Sequence, residues 1–107
     1  MVLIVPATIW NAWWSKVQYE FKASFDRRFK KLSPSRQKKV YQTLDTLMNY
    51  LDGYAPLPTG LGLKNWYADY WEIRAGLKDR ILFEFTDKIV FLFVGSHNEI
   101  KDFIKGR

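Results

Sequence analysis

Four stretches near the end of the chain decide the fold: YWEIRA (residues 70–75), DRILFEFT (79–86), KIVFLFVGSH (88–97) and NEIKDFIK (98–105). The first three are rich in aromatic and β-branched residues and are separated by short polar turns, which predicts three antiparallel strands. The fourth predicts a short helix. Because side chains alternate between the faces of a strand, the odd-numbered residues of the second hairpin share one apolar face. These residues are Ile81, Phe83, Phe85, Ile89, Phe91 and Phe93.

A polar constellation is expected on the opposite face. Folding the first hairpin about Leu77 places Arg74 opposite Arg80 and Glu72 opposite Leu82, all on the same face of the sheet. Like charges directly opposite each other destabilise a sheet, and arginine's planar fork suits phosphate, so the pair indicates a bound anion. In the alternative interpretation, nearby glutamates neutralise the arginines as a solvated charge ladder. The chain's one histidine, His97, follows the next strand and is expected at the same end of the sheet.

Residues 23–52 predict two helices that form a hairpin. Phe25, Phe29 and Leu32 recur at helical spacing. A serine and a proline at 33–34 can cap and begin the second helix, and the Asp-Gly pair at 52–53 can end it. The second helix has an apolar face formed by Val40, Leu44, Leu47, Met48 and Leu51. This helical hairpin can cover the aromatic face of the sheet.

The remaining segments are a strand, a connection and an N-terminal extension. Residues 17–22 alternate as a short strand, and residues 53–68 hold three of the six glycines and two of the four prolines, which predicts a long connection. This connection delivers Lys64 and Trp66 close to the arginine-bearing strand.

Residues 1–16 are predicted to be a helical extension, because three tryptophans and Val17 recur at helical spacing. Its apolar stripe would contact a partner, a membrane surface or its own domain, or have no function.

The length and composition predict one globular domain. With residues 1–16 taken as an extension, this domain covers residues 17–107. The chain has 107 residues, 48% hydrophobic and 18% aromatic. The absence of cysteine excludes disulfides and thiolate metal ligands, and a single histidine argues against a structural zinc site. The N-terminus lacks a basic region and a cleavage site, so no signal peptide is predicted. No apolar run is long enough to span a bilayer. We therefore expect a cytoplasmic protein without membrane association.

The net charge of +6 is concentrated in residues 26–40, which hold seven basic residues against one aspartate. The basic residues are Arg27, Arg28, Lys30, Lys31, Arg36, Lys38 and Lys39. A concentrated basic patch favours a polyanionic partner such as nucleic acid. The alternative is a solvated helix face that keeps the protein soluble.

Taken in order, these motifs resemble the RelE/ParE toxin superfamily, specifically its RelE-like mRNA interferases. The resemblance covers residues 17–105 and is carried by Pro-Leu at 56–57, LGLK at 61–64, WEIR at 71–74, DRILF at 79–83 and GSH at 95–97. There are two departures from the family pattern. A tyrosine common in the last segment is absent, with Asn98 and Lys101 at the corresponding positions, and Asp79 stands where a tyrosine usually precedes the arginine.

The resemblance implies an α+β fold of order β-α-α-β-β-β-α, with an antiparallel sheet covered on one face by the helical hairpin. It implies the toxin of a toxin–antitoxin module, a metal-independent endoribonuclease without cofactor that cleaves mRNA on the ribosome and inhibits translation. The implied partners are a cognate antitoxin protein, mRNA and the ribosome. Two alternatives remain open: a non-catalytic ParE-like inhibitor of DNA gyrase, and a degenerate toxin that binds only its antitoxin.

The site residues follow from what metal-free RNA cleavage requires. Imidazole exchanges protons near neutral pH, which assigns proton transfer to His97. Arginine holds its proton, so Arg80 would stabilise the scissile phosphate and Arg74 the same or a neighbouring one. Glu72 is either a general base or the partner that orients Arg74. The expected substrate-binding residues are Lys64, Lys78, Lys101, Arg27, Arg28, Lys30 and Lys31.

Overall fold

The computed structural model describes residues 17–106, which form a five-stranded mixed sheet with helices on both faces. The elements in chain order are β1 (Tyr19–Phe21), α1 (Ala23–Lys31), α2 (Pro34–Leu51), β2 (Lys64–Tyr67), β3 (Tyr70–Ala75), β4 (Asp79–Phe85), β5 (Ile89–Gly95) and α3 (His97–Lys105). The strand order is β1-β5-β4-β3-β2. The predicted α+β fold is confirmed. The predicted extension, residues 1–16, lies outside the described residues.

The main core lies between the sheet and the hairpin of α1 and α2. Phe25 and Phe29 of α1 and Leu47 of α2 are fully buried and pack on the sheet residues Phe83 and Phe91.

The predicted helix boundaries are confirmed as well. The Ser33 hydroxyl caps α2 by accepting from a backbone N–H 3.4 Å away, and α2 ends before a glycine with φ +83°, the left-handed conformation that glycine adopts at little cost.

The predicted apolar face needs a correction at two of its six residues. Phe83 pairs with Phe91 but Leu82 pairs with Phe93, so β5 carries one extra residue, Leu92, in a β-bulge. The bulge turns Phe93 to the opposite face, and Val94 takes its place in the main core. Phe85, at the end of β4, is 42% exposed. The bulge interrupts the alternation on which the prediction for Phe93 rested, whereas Phe85 keeps its register opposite Ile89 and is exposed because it ends the strand.

Two further corrections concern strand pairing. The predicted connection contains β2, which pairs antiparallel with β3 at the sheet edge, so the sheet has one strand more than predicted. The side chains of β2 are exposed or half-buried and show no apolar alternation, so the sequence carried no strand signal there. The sheet is also mixed and not wholly antiparallel, because β1 pairs parallel with β5.

The opposite face of the sheet has a smaller core under α3. Ile100 is fully buried there against Leu82, Val90 and Leu92. Both faces of β4 and β5 are therefore covered, and the open part of this face lies toward β3 and β2. No helix within residues 17–106 is long and apolar enough to cross a membrane.

Candidate functional site

The predicted register of the first hairpin is confirmed, with Arg74 directly opposite Arg80. The two side chains have different surroundings. Arg80 is only 22% exposed, and its Nε lies 3.0 Å from Oε2 of Glu72. Arg74 is exposed and lies against Gly62, and within residues 17–106 its guanidinium has no hydrogen bond or ion pair. The pair is thus one anchored and one open guanidinium on a single face.

Glu72 is the buried centre of this site. Its carboxylate is 5% exposed, and both oxygens are engaged: Oε1 accepts from the indole N–H of Trp66 at 2.8 Å, and Oε2 faces Arg80. Glu72 therefore orients Arg80, whereas sequence reasoning named Arg74 as its partner. One oxygen of this carboxylate already accepts a hydrogen bond and the other forms an ion pair, so Glu72 is poorly placed as a general base and the contacts favour the orienting role.

His97 is the first residue of α3 and is exposed. It follows Gly95, the residue that pairs with Arg80, by two positions, which places the imidazole at the arginine end of the sheet. Its ring stacks on the indole of Trp66, with centroids 5.2 Å apart and planes inclined by 24°. The structure therefore gathers Arg74, Arg80 and His97 at one end of one face.

A capping box fixes the start of α3. The Ser96 hydroxyl accepts from the backbone N–H of Glu99 at 3.2 Å, and the Glu99 carboxylate accepts from the backbone N–H of Ser96 at 2.8 Å. The hydrogen bond from Ser96, together with the guanidinium of Arg28, lowers the pKa of Glu99 below its usual value. A Cβ at Gly95 would lie 2.9 Å from the Glu99 carboxylate, so any larger residue there would have to displace that side chain from its capping position.

The three predicted lysines lie in different places. Lys64 of β2 places its Nζ 5.7 Å from the Trp66 ring centroid, on the site's own face. Lys101 is exposed one helical turn after His97, on the same side of α3. Lys78 lies in the loop between β3 and β4 and lines a separate depression with Arg36. Lys64 and Lys101 therefore flank the site, and Lys78 lies apart from it.

The basic segment divides into open and engaged residues. Arg27, Lys30 and Lys31 are exposed on α1 and, within residues 17–106, take part in no ion pair; these three form the open basic patch. Arg28 instead donates to the Glu99 carboxylate and to the carbonyl of Val94, and its guanidinium lies 5.0 Å from the Phe93 ring. These contacts tie α1 to β5 and α3, and the expected part of Arg28 in substrate binding stays a prediction.

Sequence reasoning also missed the role of Asp79. Its buried carboxylate accepts two hydrogen bonds from Arg36, at 2.8 and 2.6 Å, and ties the first hairpin to the start of α2. An aspartate in place of the tyrosine that the sequence resemblance led us to expect thus has a structural role here. Trp66 was noted only as lying near the arginines. It stands in a glycine-rich stretch without periodicity, and only the three-dimensional structure shows what it contacts.

No group of three or more metal-ligating side chains lies together in the described part of the chain. The charged groups of the site are thus arginine, lysine and one paired glutamate, with an exposed imidazole beside them. Such a set can bind phosphate groups and transfer a proton.

Comparison with known proteins identifies the fold. No family model and no curated protein matches the chain. Among solved structures, a chain of the RelB–RelE antitoxin–toxin complex from Methanococcus jannaschii is 24% identical, over 78% of this chain and 96% of that one, with a TM-score of 0.60. YafQ from E. coli is 17% identical over 79% and 98%, with a TM-score of 0.60, and a chain of the E. coli DinJ–YafQ toxin–antitoxin complex is 18% identical over 79% and 97%, with 0.63. At this identity the likeness establishes the fold, which is that of RelE-like toxins, and it confirms the fold that the sequence resemblance implied.

Proposed function

We propose that the chain is the toxin of a toxin–antitoxin pair and cleaves mRNA as a metal-independent endoribonuclease. One observation carries the proposal: an anchored guanidinium, an open guanidinium and an exposed imidazole lie at the same end of one sheet face. A protein that acted only by binding another protein would not need this set. RNA supplies its own nucleophile, so phosphate binding and proton transfer are the functions required of the protein.

The geometry suggests how the residues divide the reaction. The 2′-hydroxyl attacks the adjacent phosphorus, the bond from phosphorus to the 5′-oxygen breaks, and the products are a 2′,3′-cyclic phosphate and a 5′-hydroxyl. Arg80, held by Glu72, stabilises the charge that develops on the phosphate, because a preorganised cation needs no rearrangement during the reaction. Arg74 binds the same or the next phosphate. His97 transfers a proton at the attacking or the leaving oxygen.

The surroundings of the site suggest the partners. Lys64 and Lys101 flank the site, and the open basic patch adds three cations on α1 that form no ion pair with the described residues. This distribution suits single-stranded RNA bound on the ribosome. RelE and YafQ have been solved in complexes with the antitoxins RelB and DinJ. For this chain we infer a protein antitoxin with acidic side chains that covers the same cations, and action in the cytoplasm.

The decisive experiment is controlled expression followed by mapping of the 5′ ends of cellular mRNA. Wild-type protein should produce codon-phased cuts and stop growth. His97→Ala and Arg80→Lys should each lower cleavage by roughly 10²-fold, the usual scale for a lost acid–base group or a lost charge-stabilising fork. Asn98→Ala, beside His97 and equally exposed, is the matched control and should remain toxic. Intact mRNA together with DNA damage would favour a gyrase inhibitor, and full toxicity of both site variants would refute the nuclease proposal.

A further inference from the structure

The structure assigns Trp66 a positioning role: this single indole holds Arg80, through Glu72, and His97 in one arrangement. The inference rests on the proposed function and deepens it, because it names the residue that keeps the charge-stabilising group and the proton-transferring group in register. Trp66 is half-buried, its ring stacks with His97, and the ammonium of Lys64 lies 5.7 Å from its ring centroid. The indole therefore contacts the site through both its N–H and its ring.

The N–H side acts through Glu72. The buried carboxylate has two partners: Oε1 accepts a hydrogen bond from Trp66, and Oε2 forms an ion pair with Arg80. If the indole N–H is removed, Oε1 is left buried without a partner, and the carboxylate gains freedom to rotate away from Arg80. The orientation of the Arg80 guanidinium thus depends on Trp66 through Glu72.

The ring side acts on His97. The capping box fixes the backbone at the start of α3, but it leaves the imidazole free to turn about its side-chain bonds. Within residues 17–106 the imidazole makes no hydrogen bond, and its stacking on Trp66 is the contact that selects a ring orientation. An aromatic stack of this kind favours one rotamer of the imidazole over the others.

The backbone around Trp66 is built to present this side chain. Asn65 pairs with Trp71 and Tyr67 with Tyr70, so Trp66 is the extra residue of a β-bulge. The Asn65 amide donates to the carbonyl oxygens of Ala68, in the following turn, at 3.1 Å and of Tyr70, at the start of β3, at 3.0 Å, which holds the bend. Bulges re-aim side chains and occur beside active sites. The local geometry and the two contacts thus indicate the same role.

Two variants separate the contacts. Trp66→Phe keeps an aromatic ring for His97 and removes the N–H, whereas Trp66→Leu removes both. Trp71→Phe is the matched control, because Trp71 lies on the neighbouring strand and packs against the main core.

His97 is the chain's one histidine, so its imidazole C–H resonances are identified in an NMR spectrum of the intact protein without assignment. The Arg80 Nε–H resonance is identified by its loss in Arg80→Lys.

We expect the indole ring current to shift the His97 resonances upfield in the wild type. Trp66→Leu should return them to unstacked positions, and Trp71→Phe should leave them unchanged. Trp66→Phe should retain part of this shift but make hydrogen exchange at Arg80 Nε faster. RNA cleavage at saturating substrate should fall by roughly 10-fold in Trp66→Phe and roughly 100-fold in Trp66→Leu, since small displacements of reacting groups have effects of that size. RNA affinity should change little in either variant.

Three outcomes would overturn the inference. If the His97 resonances do not move in a folded Trp66→Leu protein, Trp66 does not stack on His97. If the hydrogen exchange of Arg80 Nε–H is unchanged in Trp66→Phe, Trp66 does not act on Arg80 through Glu72. Wild-type cleavage by both variants would make the contacts merely structural. If the wild-type protein cleaves no RNA, the proposed function fails, while the two resonances still decide whether Trp66 holds these side chains. If Trp66→Leu unfolds and Trp66→Phe does not, the resonances and cleavage rate of Trp66→Phe test the inference.

Discussion

Replacing Arg80 with alanine should destabilise the fold as well as impair the proposed cleavage. The change leaves the Glu72 carboxylate, 5% exposed, without its cation. Breaking a buried ion pair by removing one partner costs about 3–5 kcal/mol. Arg80 is 22% exposed and Glu72 would keep the Trp66 N–H, so we expect a loss of about 2–4 kcal/mol in the free energy of unfolding. In a domain of this size that lowers the melting temperature by about 10 °C or more.

Denaturant unfolding followed by circular dichroism measures this loss. Arg74→Ala is the matched control, because Arg74 lies directly opposite Arg80 but is exposed and unpaired within residues 17–106. Its effect should stay within about 0.5 kcal/mol. The double variant Glu72→Gln with Arg80→Ala removes the unpaired carboxylate charge and keeps an acceptor for the Trp66 N–H. It should therefore recover part of the lost free energy of unfolding. Equal unfolding midpoints for the two single arginine variants would show that the Glu72–Arg80 pair is not buried as described, and the reasoning would fail.

Three further predictions test the core, the surface and the cap of α3. Phe91→Ala should lower the free energy of unfolding by about 3–5 kcal/mol, because this ring is fully buried, while Phe85→Ala, at a position 42% exposed, should cost clearly less in the same denaturation series. Replacing the open basic patch with alanine should reduce the slope of log affinity for single-stranded RNA against log salt by about 2, with the melting temperature unchanged; an unchanged slope would assign the patch to solubility. The folded-state pKa of Glu99 is lowered by the hydrogen bond from Ser96 and by Arg28, so its contribution to stability is present above the unfolded-state pKa and is lost as pH falls through the folded-state value. Glu99→Gln should therefore flatten the acid limb of a stability–pH curve, and an acid limb identical to wild type would exclude this contribution.

Short-range patterns determined much of the fold. The spacing of Phe25 and Phe29, the Ser-Pro pair at 33–34 and the Asp-Gly pair at 52–53 define the helical hairpin, because capping and periodicity depend on neighbouring residues. Alternation about a short turn likewise places Arg74 opposite Arg80. The location of His97 after the last strand brings it to the same end of the sheet. These inferences require only that each strand stays regular across the residues concerned.

Tertiary structure decided the rest, wherever a strand is irregular or a contact joins distant segments. The bulge at Leu92 moves Phe93 off the predicted face, and the bulge at Trp66 directs the indole to Glu72 and His97. Arg28 is 71 positions from Glu99, and nothing in the local sequence shows that their side chains form an ion pair. The physical reason is that periodicity assigns a side chain to a face, whereas its partner depends on which elements pack together and where one extra residue shifts the alternation.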